Sequence, residues 1–364
     1  MRRIINVNLG RGPERTYRVI VEDGLIDRAA DLIARTWHGK RVFVISDSNV
    51  GPLYGGELLR RFLGAGMDAA LLNVAAGEAS KDARTVQALY TNLLRLGIHR
   101  DSLIIALGGG VVGDVAGFVA ATIVRGVPYV QMPTSLLAQV DSSVGGKVGI
   151  NHKLGKNLIG AFHQPAAVFI DPQVLRTLPQ AEFRNGLAEV VKIAAALDAP
   201  FFRLLERKVL ALAKRDPKLL PSVIARSVAL KARIVERDEK ETGLRKALNL
   251  GHTIGHAVEA ALQYRIRHGE AVAIGMAAEC SIAVEMGLLH SKTRDRVVRL
   301  LEQCGLPVRM PRIERRSRFL SALALDKKAE AGSPRFTLLR EPGKVVVGVD
   351  VPTAFVNQLL DQRN

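Results

Sequence analysis

The sequence predicts an α/β domain with a mostly parallel sheet in residues 1–178, followed by a mainly α-helical domain in residues 179–364. Two observations indicate this division. Short apolar runs alternate with stretches of helical periodicity through the first half, a pattern typical of a doubly wound parallel sheet. Beyond Pro179, helical periodicity dominates from Glu182 to about Leu306, and alternating β-branched runs are few.

The predicted strands of the first domain are short apolar runs, several of which end in polar residues or glycine, as buried parallel strands do. The first two alternate instead, which favours a hairpin or a sheet edge. Strands are predicted at residues 4–9, 17–21, 41–46, 69–74, 102–107, 127–132 and 167–170, and helices at 25–37, 57–63 and 83–96. Such a Rossmann-like sheet binds its ligands beyond the carboxyl ends of the strands.

A glycine-rich turn follows the strand predicted at 102–107 and precedes a predicted helix. Its Gly108, Gly110 and Gly113 satisfy G-x-G-x-x-G, in which the glycines admit the pyrophosphate of a dinucleotide and the helix N-terminus supplies N–H groups. The motif alone is not specific, because glycine-rich strand–helix turns are common. Asp47, at the end of an earlier strand, is a candidate for a ribose hydroxyl contact, although the acidic residue usually follows the glycines.

The densest polar stretch of the first half runs from Asp141 to Asn157. It places glycines beside Lys147 and Lys156, so the backbone could approach a phosphate closely while ammonium groups neutralise its charge. The spacing is not that of a Walker A loop. The alternative is a solvated loop that binds nothing.

Two histidines four residues apart draw attention in the second domain. On a helix, His252 and His256 would stand on one face, with their Cβ atoms roughly 5–6 Å apart. Gly251 and Gly255 bracket them, and glycines are often found where another backbone or a ligand comes close. A third histidine, His268, follows twelve residues after the pair.

One carboxylate and three imidazoles of this domain could converge on a metal ion, because two histidines and a carboxylate form a catalytic zinc arrangement. The predicted helix from residue 182 to 196 carries Glu189 and Lys192 on one face. The residues leave three readings open: His252 and His256 with Glu189 or Glu259 as ligands, Glu189 with His252 and His268, or a surface Glu–Lys pair with unrelated histidines.

Composition limits the possible partners. The net charge is +17, of which residues 1–178 carry +6 and residues 179–364 carry +11, and this favours anionic ligands. No nucleic-acid-binding motif is present and aromatic residues make up only 5%, so we expect no nucleic-acid partner. No apolar run approaches the roughly 20 residues that span a bilayer, and we expect a cytoplasmic protein without a membrane partner. Cys280 and Cys304 have no metal-site spacing and are expected to be inert.

Six motifs spread along the chain carry a resemblance to a known family. They are GGGVVGD (108–114), LLAQVDSSVGGK (136–147), GKNLIGAF (155–162), NGLAEVVK (185–192), ETGLR (241–245) and LNLGHTIGH (248–256). Together they closely resemble 3-dehydroquinate synthase, and the resemblance runs from about Asp47 to Lys328. Small departures from the family pattern are Ser135, Val148 and His163, where Thr, Thr and Tyr are common.

The resemblance implies an enzyme of the shikimate pathway of aromatic amino acid biosynthesis, dependent on NAD and on a divalent metal, Zn²⁺ or Co²⁺. It implies a small-molecule substrate, the phosphorylated sugar acid 3-deoxy-D-arabino-heptulosonate 7-phosphate, which becomes 3-dehydroquinate and phosphate. We expect the active site in the cleft between the two domains, and a homodimer.

Site residues follow from matching motifs. The resemblance implies Glu189, His252 and His268 as metal ligands, with His256 a polar active-site residue. NAD would contact residues near the strand ends: Asp47, Gly77, Glu78, Lys81, Gly110, Val111, Val112, Gly113, Asp114, Thr134, Ser135, Lys147, Lys156, Leu175 and Thr177. The substrate and catalytic contacts would be Arg125, Asp141, Lys147, Asn157, Lys192, Lys231, Glu241, Arg245, Asn249, His256 and one lysine of the pair Lys327–Lys328.

The chemistry implied by the resemblance is transient oxidation of the substrate's C5 hydroxyl by NAD, elimination of phosphate, return of the hydride, ring opening and intramolecular aldol closure. Two alternatives share parts of this machinery. A metal-dependent NAD polyol dehydrogenase would release stoichiometric NADH. A related sugar-phosphate cyclase would make a different ring.

Overall fold

The structure, a computed structural model, describes residues 2–10, 16–37, 39, 41–327 and 335–361. The N-terminal half contains nine strands among these residues. They are β1 (Arg3–Asn8), β2 (Thr16–Val21), β3 (Arg41–Asp47), β4 (Asp68–Val74), β5 (Leu103–Gly108), β6 (Tyr129–Pro133), β7 (Lys147–His152), β8 (Gly155–Phe162) and β9 (Ala167–Ile170). The helices between them are α1 (Leu25–Thr36), α2 (Gly56–Gly64), α3 (Ala83–Arg95) and α4 (Gly110–Thr122).

Seven of these strands form one sheet in the order β1-β2-β9-β6-β5-β3-β4. Only β1 and β2 pair antiparallel, and β2, β9, β6, β5, β3 and β4 run parallel. The prediction of a mostly parallel sheet with an edge hairpin is therefore confirmed. The chain passes from β3 outward to β4 and then returns to β5 on the other side of β3. This reversal between β3 and β5 is a topological switch point, and sheets of this kind bind ligands outside the carboxyl ends of the strands at such a point.

Helices cover both faces of the sheet, because its central strands are apolar on each side. Phe43 and Ile45 of β3 pack with α3 and α4, whereas Val42 and Val44 of the same strand pack with α1 and α2. Alternate residues of a strand point to opposite faces, so a continuous apolar run such as Arg41–Asp47 needs cover on both.

The polar stretch from Asp141 to Asn157 is not a simple loop, as one reading of the sequence had it. Most of it belongs to the antiparallel hairpin β7–β8, whose inner residues Val148 and Ile150 join the core beneath α4. A Cβ at Gly117 of α4 would lie 2.4 Å from Val148 Cγ1, so this glycine lets the hairpin lie directly on the helix. The glycines and lysines of this region therefore alternate with core positions.

The C-terminal half is mainly helical, as predicted. Its helices are α5 (Gln180–Leu197), α6 (Ala199–Ala213), α7 (Leu220–Arg237), α8 (His252–Ala261), α9 (His268–Glu285), α10 (Ser291–Gln303), α11 (Arg316–Lys327) and α12 (Thr353–Asp361). Helix α9 packs against α5, α8 and α10 and is buried along most of its length. A hairpin of β10 (Arg335–Glu341) and β11 (Lys344–Asp350) was not predicted.

Two compact units divide the chain. The first comprises residues up to Pro179 together with Ile224–Glu236, and the second comprises Gln180–Val223 and the residues from Arg237 onward. The first break lies beside the predicted boundary at residue 178. Residues 224–236, predicted within the second domain, instead belong to the first unit. Among the described residues, no helix is both long and apolar enough to cross a bilayer.

Candidate active site

Three ligand-type side chains of the second unit converge from three helices. Glu189 lies in the middle of α5, while His252 and His268 are the first residues of α8 and α9. Oε1 of Glu189 lies 3.9 Å from Nε2 of His252 and 3.6 Å from Nε2 of His268. One ligand atom from each of the three lies within 4.8 Å of the others, a spacing that suits a single metal ion.

The other ring nitrogen of each histidine is engaged elsewhere. Nδ1 of His252 lies 3.2 Å from the carbonyl oxygen of Leu250, and Nδ1 of His268 lies 3.5 Å from Oε2 of the buried Glu259. An acceptor at Nδ1 favours the tautomer with the proton there, which leaves the Nε2 lone pair for a metal. Both imidazoles therefore direct Nε2, the nitrogen that can bind a metal, toward Glu189.

Glu189 itself fits a metal ligand. It is fully buried, Oε2 forms an ion pair with Lys192, and Oε1 faces Nε2 of both histidines. Burying a carboxylate is costly unless cationic partners offset the cost, which a metal ion beside Lys192 would do. Two imidazole nitrogens and one carboxylate oxygen are a donor set that suits Zn²⁺ or Co²⁺.

The charges around the two histidines differ. Burial lowers the pKa of His252 well below its usual value, and Lys192 and the other two imidazoles lower it further. Burial would also lower the pKa of His268, but the carboxylates of Glu189 and Glu259 outweigh it and raise that pKa to about 9. The two pKa values therefore shift in opposite directions, and a metal bound at both Nε2 atoms would compete with a proton on His268.

A second set of potential ligands shares His268. His256, Glu259 and His268 also bring one ligand atom each within 4.8 Å of the others, but His256 is exposed. The rings of His252 and His256 lie 5.3 Å apart, edge to face, so both do point to one side of α8. The four-residue spacing suggested His252 and His256 as joint metal ligands. Glu189 instead faces His252 and His268, so the ligand set that contains Glu189 does not include His256.

A turn after α7 holds three of the predicted substrate residues. The carboxylate of Asp238 accepts the backbone N–H groups of Thr242, Gly243 and Arg245 at 2.8–2.9 Å. Arg245 donates through Nη1 to the carbonyl oxygen of Glu239 at 2.6 Å, and Asn249 donates through Nδ2 to Oε1 of Glu241 at 2.9 Å. Sequence reasoning placed Arg245, Asn249 and Glu241 in the site but missed Asp238, which shapes their loop.

The first unit brings the glycine turn together with the loop after β4. Nζ of the buried Lys81 lies 2.5 Å from Oδ2 of Asp114, in the first turns of α4. Burial raises the pKa of Asp114, and the Lys81 ammonium opposes that rise. Gly109 precedes α4 and has no side chain to cap it. The first N–H groups of a helix without a side-chain cap can bind an anion.

Other predicted NAD residues lie along the same edge of the sheet. Asp47 ends β3 and accepts N–H groups of its own turn. Gly77, with φ 104, and Glu78 begin the loop after β4. Gly113 packs against Gln131 of β6. Thr134 donates its backbone N–H to Gly108 at 2.9 Å, and Ser135 follows it. Leu175 is buried and Thr177 is exposed; the hydroxyl of Thr177 lies 2.7 Å from that of Tyr54, which the sequence reasoning did not single out.

The hairpin β7–β8 carries the remaining lysines of the first unit. Lys147 begins β7, and Lys156 and Asn157 lie near the start of β8, where the N–H of Asn157 donates to Asn151. Asn151 in turn donates to Glu78, which ties the hairpin to the loop after β4.

Lys231 of α7 donates to the carbonyl oxygen of Asp141 at 2.7 Å and also forms an ion pair with its carboxylate. Arg125 is exposed, and both it and the preceding Val124 adopt left-handed backbone conformations (φ 68 and 43). Such strain in a β-branched residue is uncommon and concentrates at functional sites. Lys328 lies outside the described residues, and so does the side chain of Lys327.

Comparison with known proteins gives one consistent answer. Family models described as 3-dehydroquinate synthase N-terminal and C-terminal match residues 71–185 and 186–329. A 3-dehydroquinate synthase of Nostoc punctiforme is 44% identical over 363 residues, covering 99% of both chains.

Two solved structures share the fold closely. A 2-epi-5-epi-valiolone synthase from Streptomyces hygroscopicus subsp. jinggangensis, with NAD⁺ and Zn²⁺ bound, has a TM-score of 0.88 at 31% identity and covers 97% of this chain and 98% of its own. A 2-deoxy-scyllo-inosose synthase, complexed with carbaglucose-6-phosphate, NAD⁺ and Co²⁺, has a TM-score of 0.89 at 26% identity and covers 100% of both chains.

Proposed function

The chain belongs to the 3-dehydroquinate synthase family, and we propose that it converts 3-deoxy-D-arabino-heptulosonate 7-phosphate to 3-dehydroquinate and phosphate, as a carbon–oxygen lyase. One observation carries this proposal: Glu189, His252 and His268 converge in a chain that matches a 3-dehydroquinate synthase along 99% of its length. NAD and a divalent ion belong to the proposal because similar structures hold them.

Glu189, His252 and His268 would hold the metal ion. When bound, the metal would polarise the C5 oxygen of the substrate, and NAD would take up and return the hydride of that carbon. The cofactor is therefore regenerated in each turnover. Binding and orientation of the substrate and of NAD would fall to side chains and backbone groups of this chain.

In the second unit, cationic and amide groups would orient the substrate. Lys192 is buried beside Glu189, and Arg245 is buried in the turn shaped by Asp238. Ammonium and guanidinium groups at fixed positions stabilise negative charge as phosphate departs. Asn249 is held by Glu241, so its amide is oriented before the substrate arrives. The exposed imidazole of His256 can accept or donate a proton at a ring nitrogen.

In the first unit, the anion-binding turn at Gly110–Gly113 would take the NAD pyrophosphate, and Asp47 a ribose hydroxyl. The buried Lys81 fixes Asp114 at the start of α4. Lys147, Lys156 and Asn157 of the hairpin, Arg125, and the Lys231–Asp141 pair would provide further contacts to the phosphorylated substrate. Their chemistry matches an anionic ligand rich in hydroxyl groups.

The test is release of inorganic phosphate from the heptulosonate, with and without a metal chelator. We expect chelator-sensitive phosphate release that requires catalytic NAD and leaves no net NADH absorbance. Stoichiometric NADH without phosphate release would instead indicate a polyol dehydrogenase, and no turnover with metal and NAD present would contradict the proposal.

A related sugar-phosphate cyclase is the second candidate, because the two similar solved structures are cyclases of that kind. The 44% identity to 3-dehydroquinate synthases exceeds the 31% and 26% identities to these cyclases and favours the dehydroquinate product. Mass spectrometry of the products, with other heptulose and hexose phosphates offered separately, separates the two. A product formed only from the heptulosonate supports the first candidate.

The resemblance also carries the expectations of a homodimer and of a cytoplasmic location. Light scattering coupled to size-exclusion chromatography measures the first. A mass near twice 39.5 kDa would support a homodimer, and a mass near 39.5 kDa would contradict it.

A further inference from the structure

The helix that begins with His252 is capped from another helix. Its N-cap residue, Gly251, has no side chain, and the first N–H groups of a helix need an acceptor. The carboxylate of Glu279 supplies it: Oε2 accepts the N–H of Gly251 at 2.5 Å and Oε1 accepts the N–H of Ile254 at 3.1 Å. Both oxygens thus bind the turn that contains His252.

Glu279 is fully buried, at 0% exposure. Burying a carboxylate is costly unless hydrogen bonds and a favourable field offset the lost hydration, and a helix N-terminus provides both. An apolar residue at this position would avoid that cost but would leave two N–H groups without an acceptor. The Glu279 carboxylate therefore stabilises one backbone conformation of the turn at residues 251–254.

Glu279 and His268 belong to the same helix, α9, eleven residues or about three turns apart. The turn of α8 lies against α9 at very short range: a Cβ at Gly251 would lie 2.7 Å from the carbonyl oxygen of Val272, and one at Gly275 would lie 1.9 Å from that of Gly251. Helix α9 thus carries the candidate ligand His268 directly and, through Glu279, binds the turn that carries the candidate ligand His252.

We propose that Glu279 is a positioning residue of the metal centre, which fixes the backbone of His252 relative to His268. This inference rests on the proposed function, because it assumes that the two histidines bind one ion. Glu279 acts through Gly251 and Ile254 and not by contact with the ion. Residues that orient metal ligands typically contribute about ten- to hundredfold to metal affinity.

The test uses the full chain loaded with Co²⁺, whose visible absorption reports ligand geometry. Glu279→Gln keeps the size of the side chain but turns an amide N–H₂ toward one of the two donors. Cys280→Ala is the control, since Cys280 is the next residue of α9 and equally buried. We measure Co²⁺ affinity by chelator competition, the Co²⁺ absorption spectrum, and the melting temperature of each metal-free protein.

We expect Glu279→Gln to weaken Co²⁺ binding by about ten- to hundredfold and to change the absorption bands. Cys280→Ala should leave both unchanged even where it lowers the melting temperature. If Glu279→Gln does not fold, Glu279→Asp, whose carboxylate stands on a side chain one methylene shorter, should show a smaller loss of affinity with the same spectral change.

Either of two results would overturn this inference and leave the proposed function standing. The first is an unchanged Co²⁺ affinity and spectrum in the Glu279 variants. The second is a loss of Co²⁺ affinity in Cys280→Ala equal to that in Glu279→Gln. A failure of the proposed function looks different, because the unmodified chain would then bind no Co²⁺ and release no phosphate. That outcome would overturn both.

Discussion

The pair His252 and His256 shows what spacing can and cannot predict about a metal ligand. Their four-residue separation correctly places both rings on one side of α8. The choice between them depends on Glu189, which lies on another helix and faces His252 and His268. Local spacing does not contain that information, because the approach of α5 to α8 and α9 is a matter of tertiary packing.

Removing a ligand of the centre should remove the metal. We expect Glu189→Ala and His252→Ala each to lose bound metal and turnover, whereas His256→Ala should keep the metal and lose turnover only. The reason is that three donors hold the ion in the proposed site, and losing one of three lowers affinity severely. Elemental analysis of purified protein measures this, and circular dichroism checks folding. Unchanged metal content in both of the first two variants would refute the assignment.

The Lys81–Asp114 pair should stabilise the first unit even without NAD. In Lys81→Met the carboxylate of Asp114 loses its cation in a largely buried place, where burial already raises its pKa. We expect a loss of about 1–3 kcal/mol in the free energy of unfolding, less than for a fully buried pair because the Asp114 side chain is 21% exposed. Urea unfolding of the NAD-free protein measures it.

The double variant Lys81→Met, Asp114→Asn is the matched control, since it removes the uncompensated charge. It should recover part of the stability but not NAD affinity, because Lys81 is also a proposed NAD contact. If the free energy of unfolding falls equally in Lys81→Met and in the double variant, the unpaired charge of Asp114 has no cost. The pair would then contribute to stability only through packing.

At the scale of elements, the sheet could be predicted well because buried parallel strands are continuous apolar runs. The hairpin β7–β8 could not, since its core positions Val148 and Ile150 alternate with glycines and lysines that look like a phosphate loop. The glycines Gly251 and Gly255 were correctly suspected of a close approach. What approaches them is the backbone of α9, at Val272 and Ala271.

The turn after α7 should make stability depend on pH through Asp238. Burial alone would raise the pKa of this carboxyl, but the N–H groups of Arg245, Gly243 and Thr242 outweigh it and lower the pKa to about 2. A carboxyl whose pKa falls on folding stabilises the protein above its unfolded value of 3.8, and this contribution is lost as pH falls toward 2.

Asp238→Asn should therefore lower the free energy of unfolding by about 1–2 kcal/mol at pH 7, allowing for solvent screening of a partly exposed group. The difference from the unmodified chain should shrink between about pH 5 and pH 3. Turnover should fall as well, because Glu241 and Arg245 lie in this turn. Denaturant unfolding across this pH range measures it, and a difference that is constant with pH would contradict the role given to the carboxylate.

At the scale of the whole molecule, one segment of the second predicted domain, residues 224–236, packs with the first compact unit. Helical periodicity continues through α7, so nothing in it signals that residues 224–236 leave the second unit. The contacts that bind them to the first unit are long-range: Lys231 with Asp141, and the carboxylate of Glu236 with the N–H of Asn8. Partners separated by ninety residues or more leave no local pattern to read.

The net charge of +17 should assist the capture of an anionic substrate. Since this attraction acts on encounter and is screened within about 10 Å at 0.1 M salt, we expect kcat/KM to fall roughly three- to tenfold between about 0.02 and 0.2 M potassium acetate. kcat at saturating substrate should change little, because the bound substrate is already in place. Initial rates of phosphate release across this series measure both constants, and the NAD concentration is kept saturating. A kcat/KM independent of salt would show that the excess charge lies where the substrate does not sense it, whereas a parallel fall in kcat would point to weakened contacts within the site.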